Sequence, residues 1–138
     1  MKKNLKKSKK GFTLIELVVV IAILGILAAI LVPVISGFIE TANQSADNAN
    51  ARLVYQAAAM WFASKNPGAD TTLTVTTAGT GETDINAYLG LNAWPTAKSK
   101  AFAGTFAASV KADGAIVVVT QTGSTVKATY DPATGKLS

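Results

Sequence analysis

The sequence predicts an α+β fold in which a long N-terminal α-helix packs on a C-terminal antiparallel β-meander. The first observation is a run of apolar residues and glycine from Leu17 to Val32. The second is a helical pattern that continues beyond this run, without a turn signal, as far as Asn66. The third is a series of alternating apolar segments in the last third of the chain. We expect one domain on a stalk, because 138 residues leave too little chain for two domains beside a long helix.

A basic leader precedes the apolar run. Six lysines stand among the first eleven residues, which end at Gly11. By the positive-inside rule the leader stays on the cytoplasmic side and the rest of the chain is directed outward. The segment from Phe12 to Ile35 approaches the length that a helix needs to cross the hydrocarbon core of a membrane.

The order of these parts resembles the N-terminus of type IV prepilins and of the related pseudopilins. In that family a short basic leader ends in glycine, phenylalanine usually follows, and a glutamate stands five residues into the mature chain. Here these residues are Gly11, Phe12 and Glu16, in the frame G-F-T-L-I-E-L. The resemblance implies that a prepilin peptidase removes residues 1–11 and that the new amino group of Phe12 is N-methylated.

The general plan also fits an ordinary secretory signal peptide or a plain membrane anchor. Against a signal peptide, the apolar run exceeds the usual length of about 7 to 15 residues, and no clear small-x-small cleavage site follows it. The prepilin interpretation cuts the chain after Gly11 and keeps the helix.

Glu16 is a carboxylate at the leading edge of the apolar run. An ionised carboxylate inside a bilayer costs about 2.5 to 3.5 kcal/mol, and less near an interface, so it usually has a partner. The resemblance implies that this glutamate meets the N-terminal amine of a neighbouring subunit as the helices bundle into a filament. The alternative is an interfacial glutamate that reaches water and has no partner.

Three further residues of the run are expected to act in assembly. Gly25 and Ala29 form a small-xxx-small pair that allows close approach of another helix, although lipid-facing filler fits the same pattern. Pro33 removes a backbone donor and predicts a bend. The resemblance implies that the segment between Gly25 and Pro33 can unwind on assembly.

Residues 36–138 are predicted to form the globular domain, which begins with an amphipathic helix over 36–65. The sequence Asn66-Pro67-Gly68 predicts the end of this helix. From Phe12 to Lys65 the helix would be about 80 Å long, too long for a bilayer alone, so its second half must pack on downstream residues. Spacings of three and four predict this packing stripe: Ile39, Ala42, Ala46, Ala49, Leu53, Ala57 and Met60.

Residues 66–101 are predicted to be a connecting loop. Leu73 and Val75 alternate as in a short strand. Asp84 is placed to cap a short helix that ends at Gly90. The Trp94-Pro95 pair should anchor the loop on the domain.

Residues 102–131 are predicted to form the sheet. Asp113-Gly114 predicts a two-residue hairpin turn between the first two strands, and Thr122-Gly123-Ser124 turns the chain again. Asp131-Pro132 should end the third strand. Three strands with one apolar face need a partner layer, and the outer half of the long helix offers one.

The chain has no cysteine and no histidine. Disulfides, thiolate and imidazole metal ligands, cysteine nucleophiles and the usual Ser-His-Asp arrangement are therefore excluded. We predict no enzyme, no cofactor and no metal site, because Asp113 and Asp131 fit turn residues better than calcium ligands. Many Gram-negative pilins close a C-terminal loop with a disulfide. Its absence favours a Gram-positive source or a disulfide-free branch, with sheet pairing and packing holding this region.

The net charge of +5 is concentrated in the leader. After Gly11 the chain keeps seven basic and eight acidic residues, which leaves a net charge of −1. A mature chain that starts at Phe12 has no basic stripe, so the charge disfavours nucleic acid as a partner.

The residues and the resemblance together predict a structural subunit of an extracellular type IV pilus, a helical homo-oligomer that serves adhesion, twitching motility or aggregation. The alternative is a pseudopilin of a type II secretion or DNA-uptake pseudopilus, which shares every N-terminal feature. Either subunit would be held in a bacterial membrane before assembly and would meet the prepilin peptidase and the inner-membrane assembly machinery. The pilus subunit would then move to the cell surface.

Overall fold

The computed structural model describes residues 11–74, 83–91 and 93–138. The chain divides into two units, Met1–Gly37 and Phe38–Ser138. Helix α1 contributes to both units. The elements are α1 (Leu14–Lys65), β1 (Thr71–Thr72), α2 (Asn86–Leu89), β2 (Thr96–Ala97), β3 (Gly104–Val110), β4 (Ile116–Thr122), β5 (Thr125–Asp131) and β6 (Lys136–Leu137).

The second unit is built on an antiparallel sheet with the strand order β1-β3-β4-β5-β6, in which β2 also pairs with β3. The three strands of the predicted meander, β3 to β5, form its centre. Their apolar residues alternate between the two faces, and the inner face packs on α1. The predicted fold, a long helix on a C-terminal antiparallel sheet, is confirmed.

Helix α1 ends where the sequence predicts. The backbone of Asn66 adopts a positive φ of 43°, which asparagine tolerates better than most residues. Its N–H donates to the carbonyl of Phe62 at 2.8 Å, which closes the last turn. Pro67 then prevents the helix from continuing.

The packing face of α1 differs from the predicted stripe. The helix buries Ala51, Val54, Ala58 and Trp61 against the sheet, together with Ala57. Of the seven predicted stripe residues only Ala57 is buried. The stripe prediction was therefore wrong, because the sheet selects a neighbouring face of the helix. The three largest side chains of the predicted stripe keep much of their surface in solvent: Ile39 is 57%, Leu53 38% and Met60 49% exposed.

The sheet extends beyond its predicted limits, 102–131. Strand β6 returns along β5, and the backbones of Thr129 and Ser138 exchange two hydrogen bonds, at 2.9 and 3.1 Å. On the other side, β1 and β2 lie within the predicted connecting loop and pair with β3. Such two-residue strands carry no alternation pattern, so the sequence cannot reveal them.

The loop that joins α1 to the sheet agrees with its prediction in part. Buried Leu73 donates its N–H to the carbonyl of Ala108 at 2.9 Å. Val75 lies outside the described residues. The short helix begins at Asn86, whose N–H donates to Asp84 Oδ1 at 2.8 Å, and Gly90 ends it with a φ of 68°. Trp94 packs partly buried against the core, as predicted.

The first hairpin turn has three loop residues rather than the predicted two. The N–H of Lys111 donates to the carbonyl of Ala115, and the N–H of Gly114 donates to the carbonyl of Lys111. Gly114 has a φ of 86°, as expected for a turn followed by a left-handed residue. The second turn has two residues, Gly123 and Ser124, between the paired Thr122 and Thr125.

Polar side chains of α1 fasten the two edges of the sheet. Asp47 is fully buried and accepts the N–H groups of Lys98 at 2.9 Å and Ser99 at 2.8 Å. On the other side, Asn48 Oδ1 accepts the N–H of Leu137 at 2.8 Å. The C-terminal region is thus held by a helix side chain in addition to the expected sheet pairing and packing.

Gly104, at the start of β3, provides a test of this packing. A Cβ added there would lie 2.5 Å from the carbonyl oxygen of Gln121, and a backbone atom cannot move aside easily. Gly104→Ala is expected to lower the free energy of unfolding by about 1–3 kcal/mol, as overpacking does. Chemical denaturation of the full chain in detergent measures this. Gly68→Ala is the control, because its added Cβ meets nothing within 4 Å; equal stability of the two variants would contradict the close approach.

Candidate functional site

The expected processing site lies at the beginning of the described residues. Gly11 and Phe12 precede helix α1, and the Phe12 ring is 89% exposed. The two residues are therefore accessible in the structure. The leader, residues 1–10, lies outside the described residues.

Glu16 caps the N-terminus of α1. Its Oε2 accepts the N–H of Thr13 and the hydroxyl of Thr13, both at 2.8 Å, and Thr13 Oγ1 accepts the N–H of Glu16 at 3.3 Å. This reciprocal arrangement is a capping box, with Thr13 as the N-cap and Glu16 three residues later. It satisfies two backbone donors that the first turn of a helix leaves without partners.

The sequence interpretation missed this cap. The motif Thr13-x-x-Glu16, directly before an apolar run, is its signal, and it was available from the sequence. The cap also gives Glu16 a role within one subunit, so pairing with a neighbour is not required to explain its position. Within the described residues, however, Glu16 Oε1 accepts no hydrogen bond.

Glu16 lies beside exposed apolar side chains. It lines an open groove of about 350 Å³ with Phe12, Ile15, Val19 and Val20. Thr13 thus occupies Oε2 of the carboxylate, whereas Oε1 accepts no bond from the described residues. The other side chains that line the groove are apolar. A cation that entered this groove would find an acceptor with little competition from other polar side chains of the groove.

The other predicted assembly residues lie further along α1. Gly25, Ala29 and Pro33 are all exposed, and a Cβ added at Gly25 would meet nothing within 4 Å. The segment from Gly25 to Pro33 is helical throughout in this structure. Just beyond Pro33, the hydroxyl of Ser36 donates to the carbonyl of Val32 at 2.9 Å.

Helix α1 is long and apolar enough to cross a membrane, judged by its length and composition, and among the described residues it is the only such helix. None of its most apolar 18-residue window is buried in the chain. A core helix of a soluble domain would instead be mostly covered by protein. The exposed helix therefore has the chemistry of a segment that is surrounded by lipid or by other helices.

The two aspartates considered as calcium ligands serve as turn residues. Asp113 Oδ1 accepts the N–H of Ala115 at 2.9 Å. Asp131 accepts the N–H of Ala133 and the hydroxyl of Thr134, and these bonds hold the pKa of its carboxyl below the usual value. Within the described residues no three potential metal-ligating side chains come together.

Comparison with known proteins identifies the N-terminal segment. Residues 6–32 match the family described as "Prokaryotic N-terminal methylation motif". The N-terminal segment is thus that of a type IV pilin-like protein. The match supports the prediction that the chain is not an enzyme, because pilins are structural proteins.

Two curated relatives each match part of this chain. It is 43% identical over 61 residues to "Type IV major pilin protein PilA" of Myxococcus xanthus (strain DK1622), an alignment that covers 44% of this chain and 28% of the relative. It is 54% identical over 41 residues to "Fimbrial protein EcpC" of Eikenella corrodens, covering 30% of this chain and 27% of the relative. The chain thus spans less than a third of the length of either relative. No solved structure matches it significantly.

Proposed function

We propose that this chain is the structural subunit of an extracellular type IV pilus and that it polymerises through its N-terminal apolar helix. Adhesion, twitching motility or aggregation is the expected use of such a filament. The names of the two relatives, a major pilin and a fimbrial protein, support a filament subunit. The proposal includes a stage in the membrane, followed by transfer to the cell surface by the inner-membrane assembly machinery.

The observation that carries the proposal is the large exposed apolar surface of α1. In the described part of the first unit, from Gly11 onward, the large apolar side chains are exposed. In the second unit, Phe38, Ile39, Leu53 and Met60 remain exposed on α1, while other α1 residues, Ala51, Val54 and Trp61, face the sheet. A membrane can cover the exposed apolar side chains of the first unit. It cannot also cover those of the second unit as far as Met60, because the helix is longer than a bilayer requires. Helices of neighbouring copies would cover both sets.

The proposed processing prepares the assembly site. Cleavage after Gly11 by a prepilin peptidase would create a cationic amino group on Phe12, and N-methylation would leave it charged. We propose that this amine, from one copy, reaches Glu16 of the next. Support comes from the apolar groove around Glu16 and from the Oε1 atom that the cap leaves open. Gly25, Ala29 and Pro33 would then shape the helix contacts further along the filament.

A pseudopilin of a type II secretion or DNA-uptake pseudopilus remains the second candidate. It would use the same leader, the same Glu16 and the same apolar helix. We favour the pilus subunit because both relatives have names that refer to surface fibres. The amount of this chain on the cell surface separates the two candidates.

The exposed stripe can be tested by one substitution. Leu53→Glu places a charge on the outer face of α1 without removing a buried side chain, so we expect a folded, membrane-bound subunit that forms few or no filaments. Filaments sheared from cells, compared with the membrane fraction, give the readout. Lys111→Glu, on an exposed turn of the same unit, is the control and should leave filaments intact. Normal filaments from Leu53→Glu would contradict burial of this stripe.

A further inference from the structure

Two lysines of the second unit lie beside the part of α1 with which that unit begins. Lys98 and Lys100 are exposed, and they flank Ser99, which is buried. The N–H of Lys98 donates to Asp47 Oδ1 and the N–H of Lys100 donates to Glu40 Oε1, each at 2.9 Å. The two carboxylates therefore bind the backbone of this segment, and within the described residues neither lysine ammonium group forms an ion pair.

Chain connectivity keeps these lysines near the end of the apolar span. Glu40 follows Ile35, the last residue of the predicted span, by five residues. Even a fully extended chain reaches only about 18 Å over five residues, and a helix rises about 7.5 Å. The polar layer on each side of a hydrocarbon core is about 5–8 Å thick. A Lys100 whose backbone is bonded to Glu40 is thus held within reach of that layer while α1 spans a membrane.

The residues next to the span have the chemistry of a membrane interface. Phe38 is 69% exposed, and the neighbouring Ile39 is exposed as well. Aromatic side chains are enriched at the headgroup level of membranes, and lysine can lay its apolar stem along them while the ammonium group stays in the polar layer. Apolar groups and fixed cations therefore occur at the same end of the second unit.

We propose that Lys98 and Lys100 form a docking surface for the anionic lipid headgroups of the leaflet from which α1 emerges, before the subunit enters a filament. The inference rests on the membrane stage of the proposed function. Glu40 and Asp47 act as positioning residues, because their carboxylates accept the backbone N–H groups of the two residues that carry the cations.

Lipid headgroups suit these lysines better than a second copy of the chain does. Each described acidic side chain of the second unit already accepts a backbone N–H, so a lysine of another copy would have to share the carboxylate with that contact. Anionic headgroups, in contrast, lie within reach and favour each nearby lysine by roughly fivefold in binding. These side chains are Glu40, Asp47, Asp70, Asp84, Asp113 and Asp131.

Lysine acylation in vesicles tests the proposal. The full chain is reconstituted into phosphatidylcholine vesicles with and without phosphatidylglycerol, and acylation by a water-soluble succinimidyl ester is followed by mass spectrometry. With phosphatidylglycerol, Lys98 and Lys100 should react about fivefold more slowly. Lys65 is the internal control, because it lies 25 residues beyond Glu40, about 37 Å along α1. Its rate should not change.

The other outcomes overturn the proposal. Unchanged rates at Lys98 and Lys100 would show that no headgroups bind there, and equal slowing at Lys65 would show a general attraction to the surface. Protection by inorganic phosphate in phosphatidylcholine vesicles would indicate a phosphate site instead. Failure of the chain to float with either vesicle would contradict the membrane stage itself. None of these results depends on filament formation, so the pilus proposal is tested separately.

Discussion

Replacing Glu16 with glutamine is expected to abolish surface filaments while the subunit stays processed, membrane-bound and capped. The amide oxygen of glutamine can still accept the N–H of Thr13, so the helix keeps its cap. The neutral side chain cannot pair with the amine of Phe12 in a neighbouring copy. Removing one partner of a buried ion pair costs about 3–5 kcal/mol, and this loss would recur at every subunit of a filament. Sheared surface fractions, compared with membrane fractions, measure the result.

Thr13→Ala separates the cap from the charge. This variant loses the Thr13 hydroxyl but keeps both the Glu16 carboxylate and the backbone N–H that donates to it. It should weaken the helix terminus by about 1 kcal/mol and still yield filaments, at a lower level. Normal filaments from Glu16→Gln would contradict the charge pair. Equal loss in both variants would mean that the charge is not the dominant requirement, because a variant that keeps the carboxylate and only weakens the cap would then fail as well.

Asp47→Ala is expected to cause the largest loss of stability among substitutions of the polar residues on α1. The change leaves the N–H groups of Lys98 and Ser99 without their acceptor, and Ser99 is fully buried. An unsatisfied buried donor costs about 1–3 kcal/mol, so the total is expected to be about 2–5 kcal/mol. Denaturant unfolding of the full chain in detergent, followed by the fluorescence of buried Trp61, measures it.

Glu40→Ala is the matched control for this prediction. It also removes a helix carboxylate that accepts a backbone N–H, but the Lys100 contact is exposed and water can replace it. The expected loss is below about 1 kcal/mol. If Asp47→Ala were as stable as the native chain, or if both variants lost the same stability, burial would not determine how much the Asp47 contact contributes to the free energy of unfolding.

The limits of α1 and the central strands could be predicted because their signals are local. Asn66-Pro67-Gly68 ends a helix in any context, alternation predicts β3 and β5, and a dense run of β-branched residues predicts β4. The buried face of α1 could not be predicted in the same way. Alanines lie all around the second half of the helix, from Ala42 to Ala59, so periodicity alone does not distinguish one face from the next.

Polar residues of α1 also contact the sheet region, and only the tertiary structure reveals how. Asp47 and Asn48 look like solvent-facing residues in the sequence, yet each accepts a backbone N–H from a different edge of the sheet. Their acceptors cannot be matched to donors 51 to 89 residues away by reading the chain. The Thr13–Glu16 cap is the opposite case, because its three-residue spacing was a readable local signal.

The candidate assembly site likewise contains residues with a local sequence signal and residues whose role depends on the tertiary structure. Gly11, Phe12 and Glu16 could be named from the sequence because they hold fixed positions in one short frame, which falls within the matched residues 6–32. The exposed stripe that ends at Met60 could not be assigned to assembly, because the same residues were expected to cover the sheet. Only the observed packing shows that they remain exposed.

The most direct test of the pilus proposal is the intact mass of this chain in filaments sheared from the cell surface. We predict that the chain dominates this fraction and that its mass corresponds to a start at N-methylated Phe12. A mass that still includes residues 1–11 would contradict prepilin processing. A correctly processed chain that occurs only in the membrane fraction would contradict the pilus subunit and favour the pseudopilus.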